Sequence, residues 1–138
     1  QELFDWSKEE DEQIRYYSGT AVYKTTFRWK SKVKEDQQVY LNLGKVCDLA
    51  TVRVNGIDCG TIWTAPYRAD ITAALKKGVN ELEIEVTNTW ANALKGADEG
   101  KAPFDGIWTN AKYRRAENTL LPAGLLGPLN FDVANKNK

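Results

Sequence analysis

Residues 90–118 hold most of the side chains in this sequence that could do chemistry. Trp90, Phe104, Asp105, Trp108, Asn110, Tyr113, Arg114 and Arg115 fall close together there. A pyranose ring has an apolar C–H face and a rim of hydroxyls. A Trp or Tyr ring, apolar in body and polar at one tip, packs on the face. Asp, Asn or the fork of Arg hydrogen-bonds the rim. Trp90, Asp105, Trp108, Asn110, Tyr113, Arg114 and Arg115 supply both kinds of group, and Trp63 and Tyr67 would border them if the preceding hairpin ends at the same rim. The competing reading is structural. Trp is highly buried on average, so Trp63, Trp90 and Trp108 would equally plug the open end of a sandwich or pack on a neighbouring domain.

Acid–base chemistry fits less well. Glycoside hydrolysis uses two carboxyl groups flanking one bond. The candidates are Asp98, Glu99, Asp105 and Glu117, while Glu81, Glu83 and Glu85 alternate along one strand as surface charge. Nothing in their spacing opposes two of them. The chain has no His, which removes the commonest general base and metal ligand. Two Cys alone do not make a zinc site. Lys plus Arg equals Asp plus Glu, 19 against 19, without the basic footprint of a nucleic-acid binder. No apolar run reaches transmembrane length. The absence of Met suggests a processed product or a piece of a longer protein, with any targeting segment removed or outside it.

The elements that must position these groups read as strands. In residues 50–63, Asn55-Gly56 signals a two-residue type I′ hairpin turn. A regular ladder sets Val54 opposite Ile57, Arg53 opposite Asp58 and Val52 opposite Cys59, with Val52, Val54, Ile57 and Cys59 on one apolar face. Continued further, it pairs Cys47 with Thr64 on the other face, which leaves Cys47 and Cys59 as free, buried thiols. Period-two alternation places strands at 22–29, 39–43, 51–54, 57–62, 82–87 and 129–133. Leu129, Phe131 and Val133 point inward in the last. Asp70 or Thr72 caps a short helical turn ended by Gly78. The expected fold is all-β: one antiparallel β-sandwich over residues 16–138 after a charged lead-in, 1–15, with room for one helical turn capped by Ser7. Leu3, Phe4 and Trp6 are apolar enough to dock that lead-in. Residues 90–118 read as one long irregular connection. Its part 98–110, with Gly100 and Gly106 inside it, Gly96 just before it and few apolar anchors, is expected to be mobile, and the Leu- and Pro-rich 120–133 ordered.

Several runs resemble a known family. Leu43-Gly44-Lys45-Val46, then Ala50-Thr51-Val52-Arg53-Val54-Asn55-Gly56 and Gly60, are similar to the sugar-binding domain of glycoside hydrolase family 2. So are "Y-S-G-T-A-V-Y-x-x-T-F" at 17–27 and "D-I-T-x-x-L-K-x-G-x-N-x-L-x-I-x-V-x-N" at 70–88. "L-L-P-A-G-L-L-G-P-L" at 120–129 and "V-x-N-T-W-x-N-x-L" at 86–94 resemble the C-terminal sandwich of family 106 α-L-rhamnosidase-like glycosidases. Ala123 stands where Ser is commoner there, and Ala93-Leu94-Lys95-Gly96-Ala97 departs from the usual sequel. The resemblance spans 16–133. It implies a jelly-roll, galactose-binding-like sandwich from a secreted or periplasmic bacterial glycosidase of rhamnosidase-like or β-galactosidase-like type, whose catalytic acids lie on a separate barrel domain. It also implies that this chain alone is not an enzyme. The implied partners are the parent's glycoside substrate and its catalytic domain, with neither nucleic acid nor membrane. No cofactor is implied. A structural Ca²⁺, common in such sandwiches, would need about six to eight oxygens, and no residues are assigned to it. A free-standing carbohydrate-binding module and a purely structural sandwich are the alternatives.

Overall fold

The computed structural model describes residues 2–101, 105–110 and 119–136. Strands β1 (Thr20–Trp29), β2 (Gln37–Asn42), β3 (Lys45–Cys47), β4 (Leu49–Val54), β5 (Ile57–Ile62), β6 (Arg68–Asp70), β7 (Gly78–Thr87), β8 (Gly124–Gly127) and β9 (Asn130–Asn135) are joined by two helices, α1 (Glu12–Arg15) and α2 (Ala91–Asp98). One sheet runs β1-β7-β4-β5 and a second β6-β2-β9, and β3 pairs with β8 across one end. The strand pairs are antiparallel. The fold is thus an all-β antiparallel sandwich, as the alternation predicts.

The core follows from that alternation. Val39 and Leu41 point in from one sheet, and Ala50, Val52, Val54, Leu82, Ile84 and Val86 from the other, all buried. Each fully buried Val, Leu or Ile contributes about 1.5–3 kcal/mol. Glu81, Glu83 and Glu85 face outward on β7, and Arg53 on β4 bridges Glu83 at 3.0 Å and Glu85 at 2.9 Å. At the open edge Phe131 of β9 packs on Phe27 and Trp29 of β1, with ring centroids 4.8 and 5.5 Å apart. Phe131 and Val133 point inward as expected, opposite Leu41 and Val39, but an edge strand leaves them 37% and 51% exposed.

The hairpin differs from the regular ladder. Asn55 and Gly56 both have positive φ, 52° and 78°, and Arg53 pairs with Asp58 and Val54 with Ile57 as expected. Beyond them a bulge intervenes: Thr51 pairs with Thr61, so Val52 faces both Cys59 and Gly60. Gly60, at φ 106°, tolerates the bulge conformation. Ile57 is half exposed rather than core. Cys47 belongs to β3 and pairs with Gly124, not Thr64. Both thiols are free, Cys47 buried and Cys59 half-buried.

The charged lead-in is capped by its acids, not by Ser7. The Asp5 carboxylate accepts from Ser7 N and heads a 3₁₀ turn, Trp6–Lys8, and the Asp11 carboxylate accepts from Gln13 N ahead of α1. Asp5 also accepts from Ala123 N at 3.0 Å. Trp6, 5% exposed, donates its indole N–H to the Tyr23 hydroxyl at 2.8 Å. The lead-in therefore docks on the domain through Trp6. Its ring lies so close to Gly124 that a Cβ there would sit 2.5 Å from Nε1.

Candidate functional site

Register puts Trp63 and Trp90 at one end of the sandwich. Ala50 pairs with both Val86 and Ile62, and Leu49 with Thr87. The exits of β5 and β7 therefore lie side by side, separated only by β4. Tyr67 opens β6 at the same end, where its carbonyl accepts from Leu43 N at 2.8 Å.

The exit of β7 is held firmly. The buried Asn88 accepts from Gly19 N and donates to Tyr17 O, both at 2.8 Å. Thr89 N donates to the Asp48 carboxylate at 3.0 Å. Residues 90–118 do not form one irregular connection as expected, because α2 begins at once. Buried Ala91, Asn92, Ala93 and Gly96 face the domain. Gly96 has no room for a side chain, since a Cβ would meet Tyr16 at 2.8 Å. Asn92 clamps the segment that leads into β8, donating to Leu121 O and accepting from Leu121 N, each at 2.8 Å. Ala93 N donates to the buried Ser18 hydroxyl at 3.1 Å. At the other end of α2, Glu99 accepts from the Tyr16 hydroxyl at 2.9 Å and from Lys95. These hydrogen bonds hold the Glu99 carboxyl below its ordinary range, the one from Lys95 most of all and then the one from Tyr16.

This anchoring fixes one wall of an open cleft of about 520 Å3. Trp90 and Leu94 form that wall, and Asp105, Gly106, Ile107, Trp108 and Thr109 form the other. Trp90 is 60% exposed and Trp108 81%. Leu94 follows Trp90 by one helical turn, its N–H donating to the Trp90 carbonyl at 3.0 Å. The cleft thus offers two indoles, an apolar floor from Leu94 and Ile107, and one carboxylate, Asp105. That is a chemistry for holding a ring with one apolar face and a polar rim. Among the described residues it holds no pair of opposed carboxyls: Asp105 alone of the described candidate acids lines it, Glu99 is tied up on α2, and Glu117 lies outside the described residues.

Of the expected site residues, the structure brings Trp90, Asp105 and Trp108 together. Trp63, 71% exposed, shares their end of the sandwich without lining the cleft. Tyr67 packs half-buried on the core, and Asn110 is exposed outside the cleft lining. Tyr113, Arg114 and Arg115 lie outside the described residues. Sequence reasoning missed Leu94 and Ile107. Reading 90–98 as a helix would have found Leu94, four residues after Trp90 on the same face. Among the described residues no group of three or more His, Cys, Asp or Glu is placed to hold a metal ion, and no helix is long and apolar enough to cross a membrane.

Comparison with known proteins is decisive for the family. A family model described as "Glycosyl hydrolase 2 galactose-binding domain-like" matches residues 4–119. The chain belongs to this family. A rhamnosidase from Novosphingobium sp. PP1Y is 43% identical in sequence, with a TM-score of 0.80 over 94% of this chain and 12% of that enzyme. A protein of Formosa agariphila provisionally named a beta-glucuronidase is 40% identical over 157 residues, 96% of this chain and 13% of its own length. A Ruminococcus gnavus beta-glucuronidase, 24% identical, shares the fold with a TM-score of 0.52 over 60% of this chain and 14% of that one. The chain thus spans about an eighth of the length of the Formosa and Novosphingobium relatives. This galactose-binding-like domain is not itself the catalytic unit of such enzymes.

Proposed function

We propose that this galactose-binding-like domain serves a secreted or periplasmic bacterial glycoside hydrolase by packing against its catalytic domain and presenting the Trp90–Trp108 cleft beside the substrate. The observation that carries this reading is the cleft itself. Two largely exposed indoles and the Asp105 carboxylate stand around Leu94 and Ile107, with Trp90 at the head of a helix held by two buried polar anchors, Asn92 and Ser18. Exposed Trp is costly in water, and a sugar face or a protein neighbour relieves that cost. The relatives' names point to rhamnosides or glucuronides as the parent's substrates.

The test is a glycan array on the chain, followed by titration of the best hits with tryptophan fluorescence as readout. Saturable binding at millimolar concentration or tighter, lost in Trp108→Ala and in Trp90→Ala, supports direct sugar contact. Binding unchanged in both variants removes the cleft from the site. No binding to any glycan leaves the cleft as an interdomain contact, which favours the purely structural sandwich.

A further inference from the structure

The opposite end of the sandwich carries a second depression of very different chemistry. The β1–β2 loop, the β6–β7 loop and the residue after β9 meet there, because Trp29 pairs with Gly78 and Gln37 with Asn135. Lys32, Lys34, Lys76, Lys77 and Lys136 line a cleft of about 580 Å3, with Glu35 the only carboxylate among its described residues and Val33 and Leu75 the apolar ones. All five lysines are exposed. None pairs with a carboxylate among the described residues, whereas Lys24, Lys95 and Lys101 do. A chain with no net charge thus concentrates cations at one end.

The backbone beneath the lysines is pinned. Lys136 donates its amine to Glu35 O at 2.9 Å and its N–H to Asp36 O at 2.6 Å. Gln37 N donates to Lys34 O at 3.0 Å. Lys76 N donates to the side chain of the fully buried Asn80 at 2.9 Å, which donates back to Lys76 O at 2.8 Å. Five like charges held around one depression repel each other, and an anion placed among them relieves that repulsion.

We propose that this lysine-lined cleft binds an anionic polysaccharide, one whose sugars carry carboxylate or sulfate groups. Lysines supply point charges for those groups, and Val33 and Leu75 supply apolar surface for the C–H face of a sugar. The lining has no aromatic residue among the described residues, and so no stacking platform there of the kind single-stranded nucleic acid requires. It has no Arg fork for bidentate phosphate among them either. The site is separate from the tryptophan cleft and does not depend on the reading of that cleft.

The test is affinity electrophoresis and calorimetry of the chain with dextran sulfate, polygalacturonate and neutral dextran. Binding to one or both charged polymers and not to dextran is expected, weakening at least about tenfold between about 0.05 and 0.5 M NaCl as screening rises. Dextran sulfate and polygalacturonate distinguish sulfate from carboxylate. Lys76→Gln with Lys77→Gln is expected to weaken binding at least about fivefold, as local field rather than net charge decides it. Lys8→Gln with Lys45→Gln, which removes the same charge elsewhere, leaves binding unchanged. Lys32→Gln with Lys34→Gln, on the other loop, gives a second variant pair should the first unfold. Equal loss in the Lys8/Lys45 pair, equal affinity for neutral dextran, or tighter binding to poly(dT) than to either charged polymer would overturn the proposal.

Discussion

Asn55 donates its side-chain N–H to the side-chain amide oxygen of Asn80 at 2.8 Å, joining the hairpin turn to the entry of β7. Both are hubs. Asn55 also donates to Ala74 O at 2.8 Å and accepts from Glu81 N at 3.0 Å. Asn80, fully buried, accepts from Lys76 N and donates to Lys76 O and Gly78 O. Two separate pieces of the family resemblance, the Asn-Gly turn and the Gly-x-Asn that opens β7, therefore meet as one polar network. Removing one partner of a buried bond strands the other at about 1–3 kcal/mol. Asn80→Ala strands several, so a loss of about 3 kcal/mol or more is expected in urea unfolding. Asn55→Gly keeps the positive φ of the turn and should cost less than Asn80→Ala. A midpoint unchanged in Asn80→Ala would show that water replaces the network.

Such networks explain why some of the fold is legible in the sequence and some is not. β4 and β7 are legible because each alternates cleanly: Val52 and Val54 in, Thr51 and Arg53 out, Leu82, Ile84 and Val86 in, the glutamates out. β3, β6 and β8 are three or four residues long, too short to carry a period. α2 hides because its buried face is made of Ala91, Asn92, Ala93 and Gly96, small or polar residues that show no apolar stripe. Its docking rests on the Asn92 clamp and on the bare Cα of Gly96 against Tyr16, which are tertiary facts. The bulge at Cys59-Gly60 is marked only by Gly60, a cue too weak to override a regular ladder. Trp90, Asp105 and Trp108 were legible as candidates by type. Their common cleft depends on where α2 points.

Acid should weaken the fold through two carboxyls. Lys24 and Arg53 each stand 3.0 Å from Glu83. The hydrogen bond from Lys24, and then that from Arg53, hold its carboxyl below the ordinary range. Glu99 is held low in the same way by Lys95 and then Tyr16. A carboxyl with a lower pKa folded than unfolded stabilises the fold above its unfolded value, and that contribution is lost as pH falls through the folded value. Stability is therefore expected to fall between about pH 5 and pH 3, followed as the urea midpoint. Glu83→Gln and Glu99→Gln should each flatten the decline, and added salt should too, since both pairs face solvent. A slope identical in the double variant would place the acid sensitivity elsewhere.

The two thiols should react in a fixed order. Burial, the main cause in each case, raises the pKa of Cys47 and Cys59 above the ordinary thiol value. Thiolate is the reactive form, so both should alkylate slowly in the folded chain at about pH 8. Cys59, half-buried with its thiol donating to Ile57 O at 3.5 Å, should label first. Cys47, buried on β3, should label only on unfolding. Timed iodoacetamide labelling read by peptide mass spectrometry checks this, and rapid labelling of Cys47 in the native chain would contradict it.

Hydrogen exchange should divide the cleft into a firm wall and a loose one. An isolated helix the length of α2, eight residues, is marginal in water, so its protection must come from docking. Asn92 on Leu121, Ser18 on Ala93 and Tyr16 on Glu99 supply that docking. The amides of Leu94 and Lys95 should therefore exchange slowly. Those of Asp105, Gly106 and Trp108 should exchange quickly: all three residues are exposed, and little burial there offsets the ordering entropy of about 1–2 kcal/mol per residue. Asn92→Ala removes both bonds to Leu121 without touching the cleft. It should cost about 1–3 kcal/mol of stability and bring the exchange of Leu94 close to that of Trp108. If sugar binding needs Trp90 preorganised, affinity should fall in the same variant. Slow exchange across 105–110 in the free chain would instead make Trp108 part of the packed structure, and the cleft a finished surface before any ligand arrives.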